Sequence, residues 1–225
     1  MKKQVLFLYS LLSLIVSCND NSRGNSATQT TDVEALSGVS KNADILEPKA
    51  YVAWVQTLEN GLKRDKAFED ITFSVQYKPL EYIVCMEERK IRIEDSIIKR
   101  KVNELSDMQY FDLKISLNEG SGELLKYKLS SPQQYSERVN YFAFGLQKDI
   151  VLVESNDTLP CALYHFERAY DAIPSSTFLL GFSLDKNKQS ESKTIIIYDR
   201  TFNKGMIKIA FDKHNLQKIP KLKTI

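Results

Sequence analysis

An apolar run near the N-terminus limits which residues can belong to the folded domain. Two lysines precede an apolar stretch over residues 5–16, which stops at Ser17-Cys18 and gives way to polar residues. A basic start, a short apolar core and a small residue at its end are typical of a secretory signal peptide. The run is shorter than the ~20 residues that a transmembrane helix requires, so a membrane span is the weaker alternative. We therefore predict that residues 1–17 are a signal peptide and lie outside the fold.

The last residues of this run resemble the lipobox of bacterial lipoproteins. Ile15-Val16-Ser17-Cys18 places two aliphatic residues and a small residue before a cysteine. In that family the cysteine thiol receives a diacylglycerol group, a peptidase cuts just before the cysteine, and the new amino group is often acylated as well. The resemblance implies that Cys18 becomes the first mature residue and carries the lipid. An ordinary signal peptide followed by a coincidental cysteine is the alternative.

A lipid at Cys18 would fix the location of the protein. Each buried methylene group contributes roughly 0.8 kcal/mol, so one acyl chain holds a protein marginally and two or three hold it stably. The resemblance therefore implies a lipoprotein of the bacterial cell envelope, anchored by acyl chains such as palmitate and facing the periplasm or the cell surface. It does not distinguish the inner from the outer membrane.

The polar segment after Cys18 predicts a tether. Residues 19–46 are rich in Asn, Ser, Thr, Asp and Gly and contain no aromatic residue. Such a composition cannot bury enough apolar surface to order itself. We predict three parts: the signal peptide, the lipidated cysteine with a flexible tether over residues 18–46, and a single globular domain over residues 47–225.

The charge balance argues against a nucleic-acid partner. The chain has 31 basic and 29 acidic residues. Loss of Lys2 and Lys3 with the signal peptide leaves 29 of each, so the mature protein is formally neutral. It lacks the basic footprint of nucleic-acid-binding proteins. We expect two partners instead, the membrane through Cys18 and a protein of the cell envelope.

Alternating apolar and polar residues predict the first strands. Residues 51–56 alternate and end before the turn signal Glu59-Asn60-Gly61, and residues 71–77 alternate and stop at Pro79. We predict that these two strands pair as a hairpin. Residues 63–70 form the connection between them or a third short strand.

Helical spacing appears in two segments. Residues 79–105 predict the first helix, although Ile91 and Ile93 alternate as in a strand. Ser131-Pro132 followed by Gln134 predicts the start of the second helix, with a capping serine and a proline at the first helical position.

The remaining apolar segments predict further strands. Residues 110–117 alternate, and five short runs separated by turn signals follow the second helix: 150–153, 162–166, 177–184, 194–198 and 206–211. Short consecutive strands favour an antiparallel meander. We therefore predict an α+β domain, an antiparallel sheet of about six to eight strands with about two helices packed on one face.

Two cysteines remain once Cys18 is assigned to the lipid. Exported compartments permit disulfides, and a bond between Cys85 and Cys161 would close a long loop. In the chain-entropy model such a bond contributes on the order of 4 kcal/mol. Two separate buried thiols that pack as small apolar residues are the alternative. The sequence leaves both open.

Residues with catalytic potential are few. The chain has no glycine-rich phosphate loop, no Gly-x-Ser-x-Gly turn, no paired CxxC and no HExxH. If the segment around His165 is a strand, His165 and Glu167 share one face and could bind a metal or transfer a proton. Alternatively, both face solvent while Tyr164 and Phe166 enter the core. Two ligands are too few to hold a metal, so we predict neither a metal nor a cofactor.

The C-terminal tail is basic. Lys213, Lys218, Lys221 and Lys223 occur there after the last acidic residue. Lysines near an anionic membrane contribute roughly 1 kcal/mol each, so the tail could contact headgroups. Such a tail is more often a solvated, frayed terminus, and we predict that arrangement here.

These features favour a lipid-anchored envelope protein with a non-catalytic binding, assembly or accessory role. A membrane-tethered hydrolase with a site assembled around His165 is one alternative. An immunity or inhibitor lipoprotein of the envelope is another, favoured only by size and location. The sequence names no substrate.

Overall fold

The computed structural model describes residues 45–119, 122–167, 174–188 and 191–225. The described residues form five α-helices: α1 Pro48–Gln56, α2 Leu80–Glu88, α3 Asp95–Leu105, α4 Pro132–Asn140 and α5 Lys213–Gln217. They also form eleven strands: β1 Ile45–Leu46, β2 Lys63–Ala67, β3 Ile71–Lys78, β4 Met108–Leu117, β5 Ile150–Glu154, β6 Asp157–Pro160, β7 Leu163–Glu167, β8 Ser175–Ser183, β9 Lys193–Asp199, β10 Gly205–Phe211 and β11 Lys221–Leu222.

Two antiparallel sheets carry the fold. The five-stranded sheet has the order β2-β3-β4-β8-β7, and the four-stranded sheet has the order β10-β9-β5-β6. A short parallel pair joins β1 to β11. The predicted α+β class with antiparallel strands is therefore confirmed. The strands divide between two sheets, however, because β7 and β8 extend the first sheet while β9 and β10 extend the second.

The inner faces of the two sheets share one hydrophobic core. Every second residue of β3 is buried, as the alternation of residues 71–77 predicts. Phe111 of β4 packs against Phe211 of β10, with 5.7 Å between the ring centroids. Because these two rings come from different sheets, their contact lies between the sheets.

The prediction of a strand over residues 51–56 is wrong, because this segment lies within α1. Pro48 is at the start of the helix, where its missing N–H costs no hydrogen bond. Tyr51 and Val55, four residues apart, are both buried against the core. A pattern of six residues is compatible with both the strand period and the helix period. Packing of Tyr51 and Val55 on one helix face favours the helix.

The predicted helix over residues 79–105 is two helices. Arg89 adopts the left-handed conformation with φ of 51° and ends α2, and its N–H donates to the carbonyl of Cys85. Glu94 is extended and precedes α3. Between them Ile93 is buried, whereas Ile91 is 82% exposed. The alternation at these two residues therefore reflects a connecting loop.

The start of α4 is confirmed as predicted. The Ser131 hydroxyl accepts a hydrogen bond from the N–H of Gln134 at 3.3 Å. The Gln134 side chain in turn accepts one from the N–H of Ser130 at 2.8 Å. Two backbone donors at this terminus therefore have partners.

The basic tail is part of the fold, so the prediction of a frayed terminus is wrong. Strand β11 pairs with β1, which includes Ile45 and Leu46 from the predicted tether. Ile225 donates its N–H to the carbonyl of Ile93 at 3.1 Å and accepts from the N–H of Asp95 at 3.0 Å. In the described part of the chain, no helix has the length and apolar character needed to cross a membrane.

The strand directions give the domain two distinct ends. Strand β3 runs from the turn at Asp70 to the start of α2, and its eight residues span roughly 26 Å. We call the end with α1, α2, α3, α5 and the β1–β11 pair the helical end. The other end, with the β2–β3 and β9–β10 turns, is the turn end.

Candidate functional site

The helical end contains a cavity of about 550 Å³. It lies where α1, α2, α3, α5 and the C-terminal tail gather around the end of β3. Its apolar lining consists of Pro79, Ile98, Leu216, Ile219, Pro220 and Leu222. The volume is typical of small-molecule sites, and polar groups make up the larger share of the accessible lining.

Two tyrosines present their polar groups to this cavity. Tyr51 of α1 is 1% exposed and Tyr77 of β3 is 5% exposed, and both line the cavity. Among the described residues, neither hydroxyl has a hydrogen-bond partner. Neither hydroxyl oxygen is among the fully buried polar atoms of the described residues that lack a partner, so both are accessible from the cavity. The two hydroxyls are therefore free to bind a polar group in the cavity.

Glu81 adds a carboxylate to the same cavity. It lies in the first turn of α2 and is half-buried. Its position near a helix N-terminus is electrostatically favourable. In the described ranges no cation and no hydrogen-bond donor pairs with it. Lys221 also lines the cavity and is exposed, and it too pairs with no acidic side chain in the described ranges, so the lining carries one unpaired charge of each sign.

Burial and Glu81 together keep the two tyrosines protonated. Burial raises the pKa of Tyr51 far above its ordinary value, and the Glu81 carboxylate raises that pKa further. The pKa of Tyr77 is raised for the same two reasons in the same order. At neutral pH both phenols can therefore donate and accept hydrogen bonds.

Asp95, the other carboxylate of the cavity, already has partners. Lys99 pairs with it at 2.5 Å, and this hydrogen bond lowers the pKa of Asp95. The Thr224 hydroxyl donates to it at 3.3 Å. Asp95 therefore holds the tail against α3, and Glu81 remains the carboxylate that is open to a ligand.

The candidates predicted on β7 do not lie in this cavity. His165 and Glu167 are exposed, as the solvent-facing alternative for this strand predicted. Their neighbour Phe166 stacks on Phe178 at 5.0 Å, and the Tyr164 hydroxyl donates to the carbonyl of Phe142. No three His, Cys, Asp or Glu residues cluster closely enough to hold a metal ion within the described ranges.

Cys85 and Cys161 are separate buried thiols, and no disulfide joins them. Burial raises the pKa of Cys85 to about 11, and Glu81 adds to the effect. Burial likewise raises the pKa of Cys161 to about 11. Since the thiolate is the reactive form, neither thiol is an activated nucleophile at neutral pH. Cys18 lies outside the described residues.

A cluster at the turn end joins three distant segments through Asp70. Its carboxylate accepts from the Tyr127 hydroxyl at 3.0 Å, from Lys128 at 3.1 Å and from Lys204 at 2.6 Å. Nearby, Arg200 pairs with Asp149 at 2.6 Å. The lysines around Asp70 already have an anionic partner, so we interpret the cluster as a structural clamp.

Asp70 should make stability depend on pH in acid. Hydrogen bonds from Lys204 and then Lys128 hold the pKa of Asp70 well below its ordinary value near 3.8. A carboxyl with a depressed pKa stabilises the fold above that ordinary value, and the contribution is lost as the pH falls toward the folded-state pKa. We expect Asp70→Asn to lower the urea midpoint at pH 6, and the difference from wild type to shrink progressively from pH 4 to pH 2.5.

The matched control for this experiment is Asp65→Asn, which changes an exposed carboxylate on β2. It should leave the midpoint unchanged at every pH. A midpoint difference for Asp70→Asn that stayed constant down to pH 2.5 would contradict the assigned ionic clamp.

No pattern in the sequence indicates that Tyr51, Tyr77 and Glu81 form a site. Tyr51 fell in a predicted strand, and no spacing connects the three residues, because they come from a helix, a strand and a second helix. In comparisons with known proteins, no family model, no curated protein and no solved structure matches the chain.

Proposed function

We propose that the protein is a lipid-anchored, non-catalytic binding protein of the bacterial cell envelope, and that its site is the cavity at the helical end. The observation that carries the proposal is the set of unpartnered groups in one cavity: the hydroxyls of Tyr51 and Tyr77 and the carboxylate of Glu81. The anchor follows from the resemblance of Ile15-Val16-Ser17-Cys18 to the lipobox.

The chemistry of these groups selects a ligand with a protonated primary amine and an apolar body. An ammonium group has three N–H donors, which match two phenol oxygens and one carboxylate. Glu81 supplies the opposite charge, and hydrogen bonds to charged groups are worth about 1.5–3 kcal/mol. The apolar lining around Ile98 and Leu216 would pack against the carbon skeleton. Of the two unpaired charges on the lining, Glu81 is half-buried and acts on both tyrosines, whereas Lys221 is exposed, so we place the ammonium of the ligand at Glu81.

A binding role also agrees with the small number of reactive side chains near the cavity. Both phenols are held protonated, Cys85 is held as a thiol, and neither histidine lines the cavity. General acid–base catalysis requires a group whose pKa lies near the working pH. Recognition of a charged amine requires no such group.

The test is titration of the protein with 2-phenylethylamine at pH 7, followed by calorimetry and by NMR shifts of the tyrosine rings. We expect Glu81→Gln to weaken binding at least tenfold, because a charge-assisted hydrogen bond is lost. Tyr51→Phe and Tyr77→Phe should each weaken it severalfold, because each removes one acceptor.

The matched control variant is Glu87→Gln, which changes an exposed carboxylate on the same helix. It should bind like wild type. The uncharged analogue 2-phenylethanol is the control ligand and should bind far more weakly than the amine. Equal affinities for the amine and the alcohol, or unchanged binding by Glu81→Gln, would refute the proposed site.

A further inference from the structure

A second surface of the helical end combines exposed apolar side chains with basic ones. The loop between α2 and α3 reads Arg89-Lys90-Ile91-Arg92. Ile91 is 82% exposed and Met86, on the last turn of α2, is 41% exposed. Both line a groove of about 330 Å³ whose floor includes Val52 and Cys85. We call Lys49, Met86, Arg89, Ile91 and Arg92 the basic apolar face.

The cations of this face are not neutralised by the chain. Lys49, Arg89 and Arg92 are exposed, and no acidic side chain pairs with them in the described ranges. The acids nearby have other partners. Glu88 pairs with Lys90 and Lys101, both at 2.8 Å, and these hydrogen bonds lower the pKa of Glu88 to about 2.

The remaining acids near the face add little negative charge. Glu87 pairs with Lys101 at 2.8 Å, and Glu47 pairs with Lys223 at 2.7 Å. Glu94, the residue before α3, is exposed and accepts from the Ser96 hydroxyl at 3.3 Å. The face therefore has an excess of positive charge around an apolar centre.

The course of the chain points to what covers this face. Pro48 and Lys49 line the groove, and the described chain begins three residues earlier, at Ile45. The segment that leads back to Cys18 thus joins the domain beside the basic apolar face. A membrane that holds the lipid of Cys18 would therefore lie close to the basic apolar face.

We propose that the basic apolar face docks on an anionic membrane surface. Ile91 and Met86 enter the boundary between headgroups and acyl chains, while Lys49, Arg89 and Arg92 contact anionic headgroups. Apolar area and cations together determine binding at membrane interfaces. Each cation near an anionic leaflet strengthens binding roughly fivefold. The proposal rests on the lipid anchor of the proposed function and is independent of the amine ligand.

The experiment uses the lipidated protein in vesicles, with one tryptophan as a depth reporter. Trp54 is the single tryptophan of the chain, so Trp54→Phe combined with Ile91→Trp places the reporter in the loop. Vesicles contain either phosphatidylcholine alone or phosphatidylcholine with phosphatidylglycerol, each with and without brominated acyl chains. Flotation first establishes that the protein is attached, which separates failure of the anchor from failure of docking.

We expect brominated lipids to quench the tryptophan at position 91 in vesicles with phosphatidylglycerol, and much less in neutral vesicles. Adding Arg89→Glu and Arg92→Glu should remove the quenching. The control pair Lys66→Glu and Lys114→Glu makes the same change in net charge at exposed sheet positions and should not. A reporter at Phe144, which is 72% exposed and lies beyond α4, should stay unquenched.

Attached protein with no quenching at position 91 would overturn the proposal, as would equal quenching in neutral vesicles. Self-association measured by sedimentation, if lost on Ile91→Asp, would assign the face to a second copy of the chain instead. Docking that survives 1 M salt would also contradict the role given to the cations.

Discussion

Replacing Lys193 with methionine is expected to lower the free energy of unfolding by about 3–5 kcal/mol, a large fraction of the roughly 5–15 kcal/mol that stabilises a typical domain. The side chains of Lys193 and Glu154 are 0% and 1% exposed and form a direct ion pair. The Lys193 ammonium also donates to the carbonyl of Lys188 at 3.3 Å. Removing the lysine leaves the Glu154 carboxylate buried without its cation, with only a long contact of 3.5 Å from the Gln109 amide.

The double substitution Lys193→Met with Glu154→Leu should recover most of that loss, because replacing a buried ion pair by apolar residues is often neutral or stabilising. Lys213→Met is the matched control: it breaks the exposed pair with Glu191 and should cost no more than about 1 kcal/mol. Urea denaturation at pH 7 gives all four values. A single-site loss of less than about 1 kcal/mol, or a double variant worse than the single one, would show that the pair is not the buried unit described.

Local sequence signals predicted those parts of the fold that are determined locally. The alternation of residues 71–77 predicted the strand, because a sheet with one buried face requires this period. Ser131 predicted a helix start, because its hydroxyl satisfies a backbone donor in any context. The strand prediction for residues 51–56 was wrong because a pattern of six residues fits both the strand period and the helix period. Contacts with distant segments of the chain determine which of the two forms.

The candidate sites depend on contacts that no local pattern records. Lys193 follows a polar run and lies just outside the predicted strand over residues 194–198, yet it is buried beside Glu154 of another strand. Tyr51, Tyr77 and Glu81 meet only because α1 packs on the end of β3. Conversely His165 and Glu167, which share a strand face as predicted, face solvent because β7 turns only its other face to the core.

Substituting alanine for Cys18 is expected to abolish incorporation of palmitate and to release the protein from high-salt-washed membranes. Under the proposed lipoprotein assignment, the Cys18 thiol is the site of the diacylglycerol group. With ~0.8 kcal/mol from each buried methylene, two or three acyl chains hold a protein through salt washing. The apolar stretch over residues 5–16 is shorter than a stable span and cannot replace them.

Metabolic labelling with an alkyne analogue of palmitate, followed by fractionation, measures both effects. Cys85→Ala and Cys161→Ala are the controls, and both should keep the label, because these thiols are buried and protonated. A label that persists without Cys18 would remove the anchor and the docking proposal with it. The cavity at the helical end would be unaffected, because Tyr51, Tyr77 and Glu81 come together through packing of the domain alone. Retention of Cys18→Ala protein at low salt with release at high salt would instead show the basic apolar face binding unaided, since screening weakens its contact with headgroups.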